Sequence, residues 1–280
     1  MATYDIAYLR GHGNGDKGAA GNNRTEFDIC AKRVQKVVEY LRQGGLKVYT
    51  NCGDENNFEK NLLANVTLTK KFAITDHMNS SADANAKGVE MWVPCREKDI
   101  TLEKSITSSL AKYLTNRGVR KRIYDNGSWE YAVNGYSTNA TDYYKEIRQS
   151  WSMGISHDIL EMGFISNFYD VKAIETYKDE IAKIIANNIL EHFGFKKVKV
   201  EGYGVWKKDN YGWWYENKDG SYPVNQWLKL KDVWYYFDEK GYAYQNKWLK
   251  YKNDWYYFDN DCKMVTNKDF KIDADGKMKI

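Results

Sequence analysis

A tryptophan spacing in the last third of the chain constrains its architecture more tightly than any other feature of the 280 residues. Trp206, Trp227 and Trp248 stand 21 residues apart, and Trp213, Trp234 and Trp255 keep the same interval. Trp213-Trp214-Tyr215, Trp234-Tyr235-Tyr236-Phe237 and Trp255-Tyr256-Tyr257-Phe258 are versions of one strand, and Gly220 and Gly241 mark the turn that follows it. A fixed period of this length is the mark of an array whose units bury their apolar faces against one another. The spacing therefore predicts stacked aromatic hairpins instead of a conventional core. Cys262 takes the third turn position, and Asp269-Phe270 stands where the next tryptophan would be, so the array decays towards its end. Asp273-Ala274-Asp275-Gly276-Lys277-Met278 reads as one more, shorter hairpin.

The preceding part is built on another principle. Seven of the ten tryptophans lie after residue 200, and the basic stretch Lys196-Lys197-Val198-Lys199 reads as a linker at the change. Two domains are expected, residues 1–196 and 203–280. In the first, strands are predicted over Asp5–Leu9, Leu46–Thr50, Phe72–Thr75, Gly88–Val93 and Gly154–Leu160. Helices are predicted over Thr25–Gln43, Phe58–Lys70, Ile100–Arg117 and Val171–Phe193. In the first helix Phe27, Ile29, Ala31, Val34, Val37, Val38 and Leu41 form the stripe, and Gly44-Gly45 stops it. The alternation predicts an α/β domain, a mostly parallel sheet covered by helices, followed by a small all-β repeat domain of stacked hairpins. The polar, aromatic segment Tyr124–Tyr144 interrupts the alternation and reads equally as a wall of a substrate groove or as a surface insertion.

Charge and composition exclude several classes. The formal charge of +4 comes without a basic run or stripe, which argues against nucleic acid. No stretch reaches the ~18 apolar residues of a membrane span. Met1–Arg10 has neither a basic start nor a long apolar run, so no secretory signal is expected and synthesis in the cytosol follows. Cys30, Cys52, Cys95 and Cys262 form no C-x-x-C pair and read as free thiols.

Four residues carry chemistry. His12 lies in Gly11-His12-Gly13-Asn14-Gly15-Asp16, Glu26 follows Thr25, His77 lies in Thr75-Asp76-His77-Met78-Asn79, and Glu161 opens Glu161-Met162-Gly163-Phe164-Ile165-Ser166-Asn167. Two imidazoles and a carboxylate can hold zinc with a position left open, and a further glutamate can take a proton from water. Each has a plainer reading. His12 could be a polar loop residue, and Glu26 a first-turn acid favoured by the helix dipole. Asp76 could orient a neighbouring ligand or face solvent. His12, His77 and Glu161 are each expected just beyond a strand and Glu26 at a helix start, where one sheet edge could gather all four. His157 and His192 read as structural. Glu90, Asn79, Arg148 and Asn167 have no role that the sequence separates.

In order and context these four residues resemble the zinc-dependent N-acetylmuramoyl-L-alanine amidases (the amidase_3 family), over roughly residues 1–195. The resemblance implies a zinc ion held by His12, Glu26 and His77. It implies Glu161 as catalytic base and cleavage of the amide between N-acetylmuramic acid and L-alanine in peptidoglycan. The tail resembles the choline-binding repeats of cell-wall hydrolases, by the pattern Trp-x6-Trp-Tyr-Tyr-Phe-Asp; related repeats bind glycans instead. That likeness implies cages for a quaternary ammonium. Trp206, Trp213 and Tyr235 would form one, and Trp227, Trp234 and Tyr256 the next, with Trp248 and Trp255 continuing the series. The partners implied are peptidoglycan and choline-decorated teichoic acid, with no nucleic acid, no membrane span, and the repeats as a surface through which a homodimer could form. A phage endolysin or autolysin is the type implied, released by a holin if from a phage. The alternatives are a wall-binding protein with an inactive catalytic half and a zinc peptidase acting on stem peptides.

Overall fold

The computed structural model describes residues 2–13, 15–51, 62–198, 204–217, 220–230, 233–266, 271–272 and 278–279. Cys52, residues 58–61 at the start of the second predicted helix, Lys199 of the linker, the Asp269-Phe270 position and residues 273–277 of the last predicted hairpin lie outside them. The chain divides into two compact units, Met1–Val200 and Glu201–Ile280.

The first unit contains β1 (Thr3–Tyr4), β2 (Ile6–Arg10), β3 (Ala20–Gly21), β4 (Arg24–Thr25), α1 (Glu26–Gln43), β5 (Val48–Tyr49), β6 (Thr67–Leu68), β7 (Phe72–Asn79) and β8 (Val89–Trp92). It continues with α2 (Thr101–Leu110), β9 (Asn116–Arg122), β10 (Trp129–Tyr131), α3 (Lys145–Ser152), β11 (Ser156–Phe164), α4 (Phe168–Thr176) and α5 (Lys178–His192). Seven strands make one sheet in the order β10-β9-β8-β11-β7-β2-β5. The pairs β2–β5, β2–β7, β7–β11 and β8–β9 are parallel, while β8–β11 and β9–β10 are antiparallel.

Strand alternation sorts the side chains onto two faces. Ile6, Tyr8, Ile74, Met91, Leu160 and Met162 join α1, α2, α4 and α5 in the main core. Ala7, Leu9 and Ala73 face the other way with Leu63, Leu68 and Ile155, and Trp92 and Ile159 pack there on Ile147 of α3. This thinner face is also the one that His77 and Glu161 share, because they keep the parity of Ala73 and Ile159.

Several boundaries differ from the sequence expectation. Residues 62–65 turn, and β6 pairs with β1, where a helix over 58–70 was expected. The pairing gives Thr67 and Leu68 a strand partner that local periodicity cannot register. α2 ends at Leu110 instead of Arg117, because Asn116–Arg122 is claimed by the sheet. The single helix over 171–193 is two, α4 and α5, parted at Tyr177. The strands carrying His77 and Glu161 run on through them to Asn79 and Phe164, so both residues sit within strands, not after them. Mutual pairing of the two strands, Glu161 beside His77, keeps them extended. α1 begins as predicted, with the Thr25 hydroxyl accepting the Asp28 N–H as N-cap. Phe27 and Ala31 stay only half-buried there, while Arg33 enters the buried stripe.

The second unit is a series of two-stranded hairpins. β12 (Val205–Lys208) pairs with β13 (Trp213–Glu216), β14 (Gln226–Leu230) with β15 (Val233–Phe237), and β16 (Lys247–Tyr251) with β17 (Asp254–Phe258). β18 (Lys271–Ile272) and β19 (Met278–Lys279) form the short terminal pair. Gly220, Gly241 and Cys262 hold the same turn position with φ of 81°, 85° and 62°. The position demands the left-handed region, so glycine is natural there and the third repeat pays strain for its cysteine.

Candidate metal centre and aromatic cages

His12, Glu26 and His77 converge, and each offers one ligand atom within 4.8 Å of the others. Glu26 is buried at the centre. Its Oε1 lies 2.8 Å from His77 Nδ1 and 3.4 Å from His12 Nε2, and it accepts the Met78 N–H at 2.9 Å. Its Oε2 accepts the Ala19 N–H at 3.1 Å. Asp16 holds the far side of the His12 ring, Oδ2 to Nδ1 at 3.0 Å.

Two glycines make the space. A Cβ on Gly11 would stand 2.0 Å from the His77 ring. A Cβ on Gly18 would stand 2.6 Å from Glu26 Oε2 and 2.7 Å from the His12 ring, at a φ of +66° that already favours glycine. The loop is therefore shaped around the three side chains.

Electrostatics agree with a cation site. Burial alone would raise the Glu26 carboxyl, but hydrogen bonds from His12 and His77 outweigh it and hold it well below the carboxylate range. Burial opposes charge on His77, yet Glu146 and Glu26 draw its proton affinity well up. His12 is likewise raised against its own burial by Glu26. Positive charge is thus favoured where the two imidazoles meet the carboxylates. Two nitrogen donors and one carboxylate are a ligand set that suits zinc with a position left open, so the residues fit the ion.

Glu161 stands beside His77 on the neighbouring parallel strand and beside Glu90 on the antiparallel one. Burial pushes its carboxyl up to about 8; the His77 charge opposes this, and the nearby carboxylates add to it. Its Oε2 is closed from solvent and has no hydrogen-bond partner among the described residues. A buried acceptor without a donor costs stability, which marks this carboxyl as held for something other than folding.

The surrounding residues now acquire places. Asp76 neither faces solvent nor enters the cluster. It points into the main core, where Arg33 Nε lies 3.0 and 3.1 Å from its two oxygens and the Tyr8 hydroxyl donates at 2.9 Å. Glu90 accepts from Asn79 at 2.9 Å and from Arg117 at 2.6 Å. Asn167 is the N-cap of α4, and Arg148 binds the Asp142 carbonyl at 2.7 Å. The 124–144 segment contains β10 and carries exposed Tyr124, Trp129, Tyr131 and Tyr136. Sequence reasoning missed Glu146, whose Oε1 lies 3.7 Å from His77 Nε2. Its signal was an acid on the buried stripe of α3, where Glu146, Ile147 and Ser150 point inward together.

In the tail the rings expected to form the two cages pack together between successive hairpins, with Tyr235 buried in the hairpin core. Trp206 lies 6.5 Å from Trp213 and 5.0 Å from Tyr235, between ring centroids. Trp227 lies 6.1 Å from Trp234 and 4.9 Å from Tyr256. Trp206 and Trp227 also serve the hairpin cores, packing at 5.7 Å on Phe237 and Phe258. Trp248 and Trp255 are exposed, and Lys277, one repeat after Tyr256, lies outside the described residues.

Comparison with known proteins bears on both units. Residues 7–191 match a family described as N-acetylmuramoyl-L-alanine amidase. Residues 225–243 and 246–261 match a putative cell wall binding repeat. The fold is similar to the N-acetylmuramoyl-L-alanine amidase AmiC2 of Nostoc punctiforme, at 19% identity and a TM-score of 0.50, over 68% of this chain and 97% of that one. It is also similar to a putative N-acetylmuramoyl-L-alanine amidase from Neisseria meningitidis, at 25% identity and a TM-score of 0.50, over 69% and 98%. A 35-residue stretch is 48% identical to the lysozyme of Streptococcus phage Cp-1, covering 12% of this chain and 10% of that protein. The chain thus spans about a tenth of the length of the curated relatives it matches.

Proposed function

This chain belongs to the N-acetylmuramoyl-L-alanine amidase family, and from that premise we propose that it hydrolyses the amide between the lactyl group of muramic acid and L-alanine in peptidoglycan. The observation that carries the reading is the convergence of His12, Glu26 and His77 beside Glu161, whose Oε2 is closed from solvent and has no hydrogen-bond partner among the described residues. His12, Glu26 and His77 would hold zinc. Zinc there would supply a Lewis acid for water and the amide carbonyl, and a positive charge that draws Glu161 back down to a working base.

The chain's own residues account for the rest. Glu161 accepts a proton from the attacking water as the C–O bond forms, and then returns it to the departing L-alanine nitrogen as the C–N bond breaks. Its closed surroundings favour this exchange, because a carboxyl raised by burial is a stronger base than a solvated one. Glu26 is kept anionic by its donors and remains a ligand. The exposed aromatic segment around Trp129 and Tyr131 would form a wall of the groove that receives the wall polymer.

The tail would anchor the enzyme by taking the trimethylammonium of choline-bearing teichoic acid into the cages at Trp206 and Trp227, against ring faces. Among the described residues no helix is long and apolar enough to cross a membrane. A wall-acting endolysin is the type that both units support.

Digestion of purified walls, followed by mass spectrometry of the fragments, tests the reading. Free L-alanine amino termini on an intact glycan are expected. New reducing ends would mean a glycosidase, cleavage within stem peptides would mean a peptidase, and unchanged walls would mean a binding protein; each would overturn it.

A further inference from the structure

His77 is approached from two sides, and the reaction above uses one. On the other side, Glu146 Oε1 lies 3.7 Å from His77 Nε2, and Glu146 Oε2 lies 2.9 Å from the Thr75 hydroxyl. The Thr75 oxygen is 2.6 Å from His157 Nε2, and His157 Nδ1 is 2.7 Å from the Ser150 hydroxyl. All four of these residues are buried.

The donors and acceptors can be put in order. A carboxylate only accepts, so Thr75 gives its single proton to Glu146. The Thr75 oxygen must then accept from His157, which places a hydrogen on His157 Nε2. Burial keeps His157 neutral, so its Nδ1 accepts from Ser150. Every direction in the chain is set, and it ends as an acceptor facing His77 Nε2. A histidine that holds a metal through one nitrogen commonly gives its other N–H to a carboxylate, which fixes tautomer and ring orientation.

We propose that Glu146, oriented by Thr75, His157 and Ser150, is a positioning residue that keeps the hydrogen of His77 on Nε2 and so turns the lone pair of Nδ1 towards Glu26 and the metal. This rests on the reading of His12, Glu26 and His77 as zinc ligands. Gly11 leaves room for this orientation, since a Cβ there would stand 2.0 Å from the His77 ring.

The test uses the full chain, with zinc for affinity and cadmium for the coupling measurement. Glu146→Gln should lower zinc affinity by about 10- to 100-fold in chelator competition. Thr75→Val should move it the same way by less, and Thr75→Ser should restore it, which a purely structural role for the methyl group would not do. This pair keeps the test open if Glu146→Gln fails to fold. In cadmium-loaded protein with 15N-labelled histidine, coupling is expected at His77 Nδ1, with a protected hydrogen on Nε2. In metal-free protein the neutral His157 should carry its hydrogen on Nε2. Metal on His77 Nε2, hydrogen on His157 Nδ1, or zinc bound equally by wild type and both variants would overturn the proposal while leaving the amidase reading intact. A wild-type chain that binds no zinc at all would remove both.

Discussion

The two units make their sites in opposite ways. In the first, a glycine-rich loop brings His12, a helix start brings Glu26, and two parallel strands set His77 and Glu161 side by side, so residues from 12 to 161 must meet through the fold. In the second, each proposed cage would join one hairpin to the next, with rings that recur every 21 residues. A site assembled at long range has no spare parts. A site made by a local rule exists in copies, so damage to one is graded.

The largest expected effect breaks the first unit alone. Glu161→Gln should retain zinc by elemental analysis and lose about 10²- to 10⁴-fold in turnover, because an amide takes no proton from water. Near-normal turnover in the zinc-loaded variant would remove Glu161 from the mechanism. The tail should still bind walls fully in a pull-down of the same variant, which separates the two units directly.

Packing at the site is next. Gly11→Ala places a methyl 2.0 Å from the His77 ring, so the ring must leave and zinc affinity should fall at least about tenfold. Unchanged affinity would show that the loop adapts and that the cradle has no such role. Behind it, the Arg33–Asp76 pair is fully buried. Removing one partner by Arg33→Met should cost about 3–5 kcal/mol in urea unfolding, because Asp76 is left charged and uncompensated. Loss of under about 1 kcal/mol would mean that Tyr8 and the backbone carry Asp76 without it.

In the tail the effects should be smaller and separable. Trp234 is exposed and would be a wall of the proposed cage, while Trp227 packs against the core. Trp234→Ala should cost about 1 kcal/mol of choline affinity at that cage, roughly fivefold by calorimetry, with an unchanged melting temperature. Trp227→Ala should lose binding and stability together. Equal loss of stability in both variants would mean that the rings are core alone.

The smallest effect concerns a buried carboxyl pair in the main core. Burial pushes Glu103 from 4.5 to about 7, and Asp158 is raised by burial and by Glu103. The folded state therefore keeps a proton that the unfolded chain releases. Stability contributed by this pair is present at low pH and falls as the pH rises through that window. Glu103→Gln should flatten the fall between about pH 5 and pH 8 in urea midpoints; an unchanged slope would mean that the pair shares no proton.

How much of this was legible in the sequence differs between the units for the same reason. The repeat announced its hairpins, because strand pairing there is local and residues 21 apart must do the same work. The alternation of the first part announced an α/β sheet, and the glycine-flanked His12 and Glu161 at the end of an apolar run announced unusual demands on their surroundings. The ends of elements were misread where a distant partner intervened. Thr67–Leu68 became a strand through β1, and Asn116–Arg117 left the helix for the sheet. Glu146 was overlooked because its meaning depends on His77, 69 positions away.

By itself, then, the sequence determined the two building plans and the residue types able to hold a cation or a quaternary amine. Periodicity, turn glycines and capping residues act over a few positions and can be read along the chain. Only the tertiary structure decided which face of the sheet carries the site, that Asp76 turns to Arg33 in the core while His77 next to it turns to Glu26, and that Glu146 stands behind His77. Alternation sends neighbours in a strand to opposite sides, and what each meets there is fixed by strand order and helix packing, which no local pattern encodes.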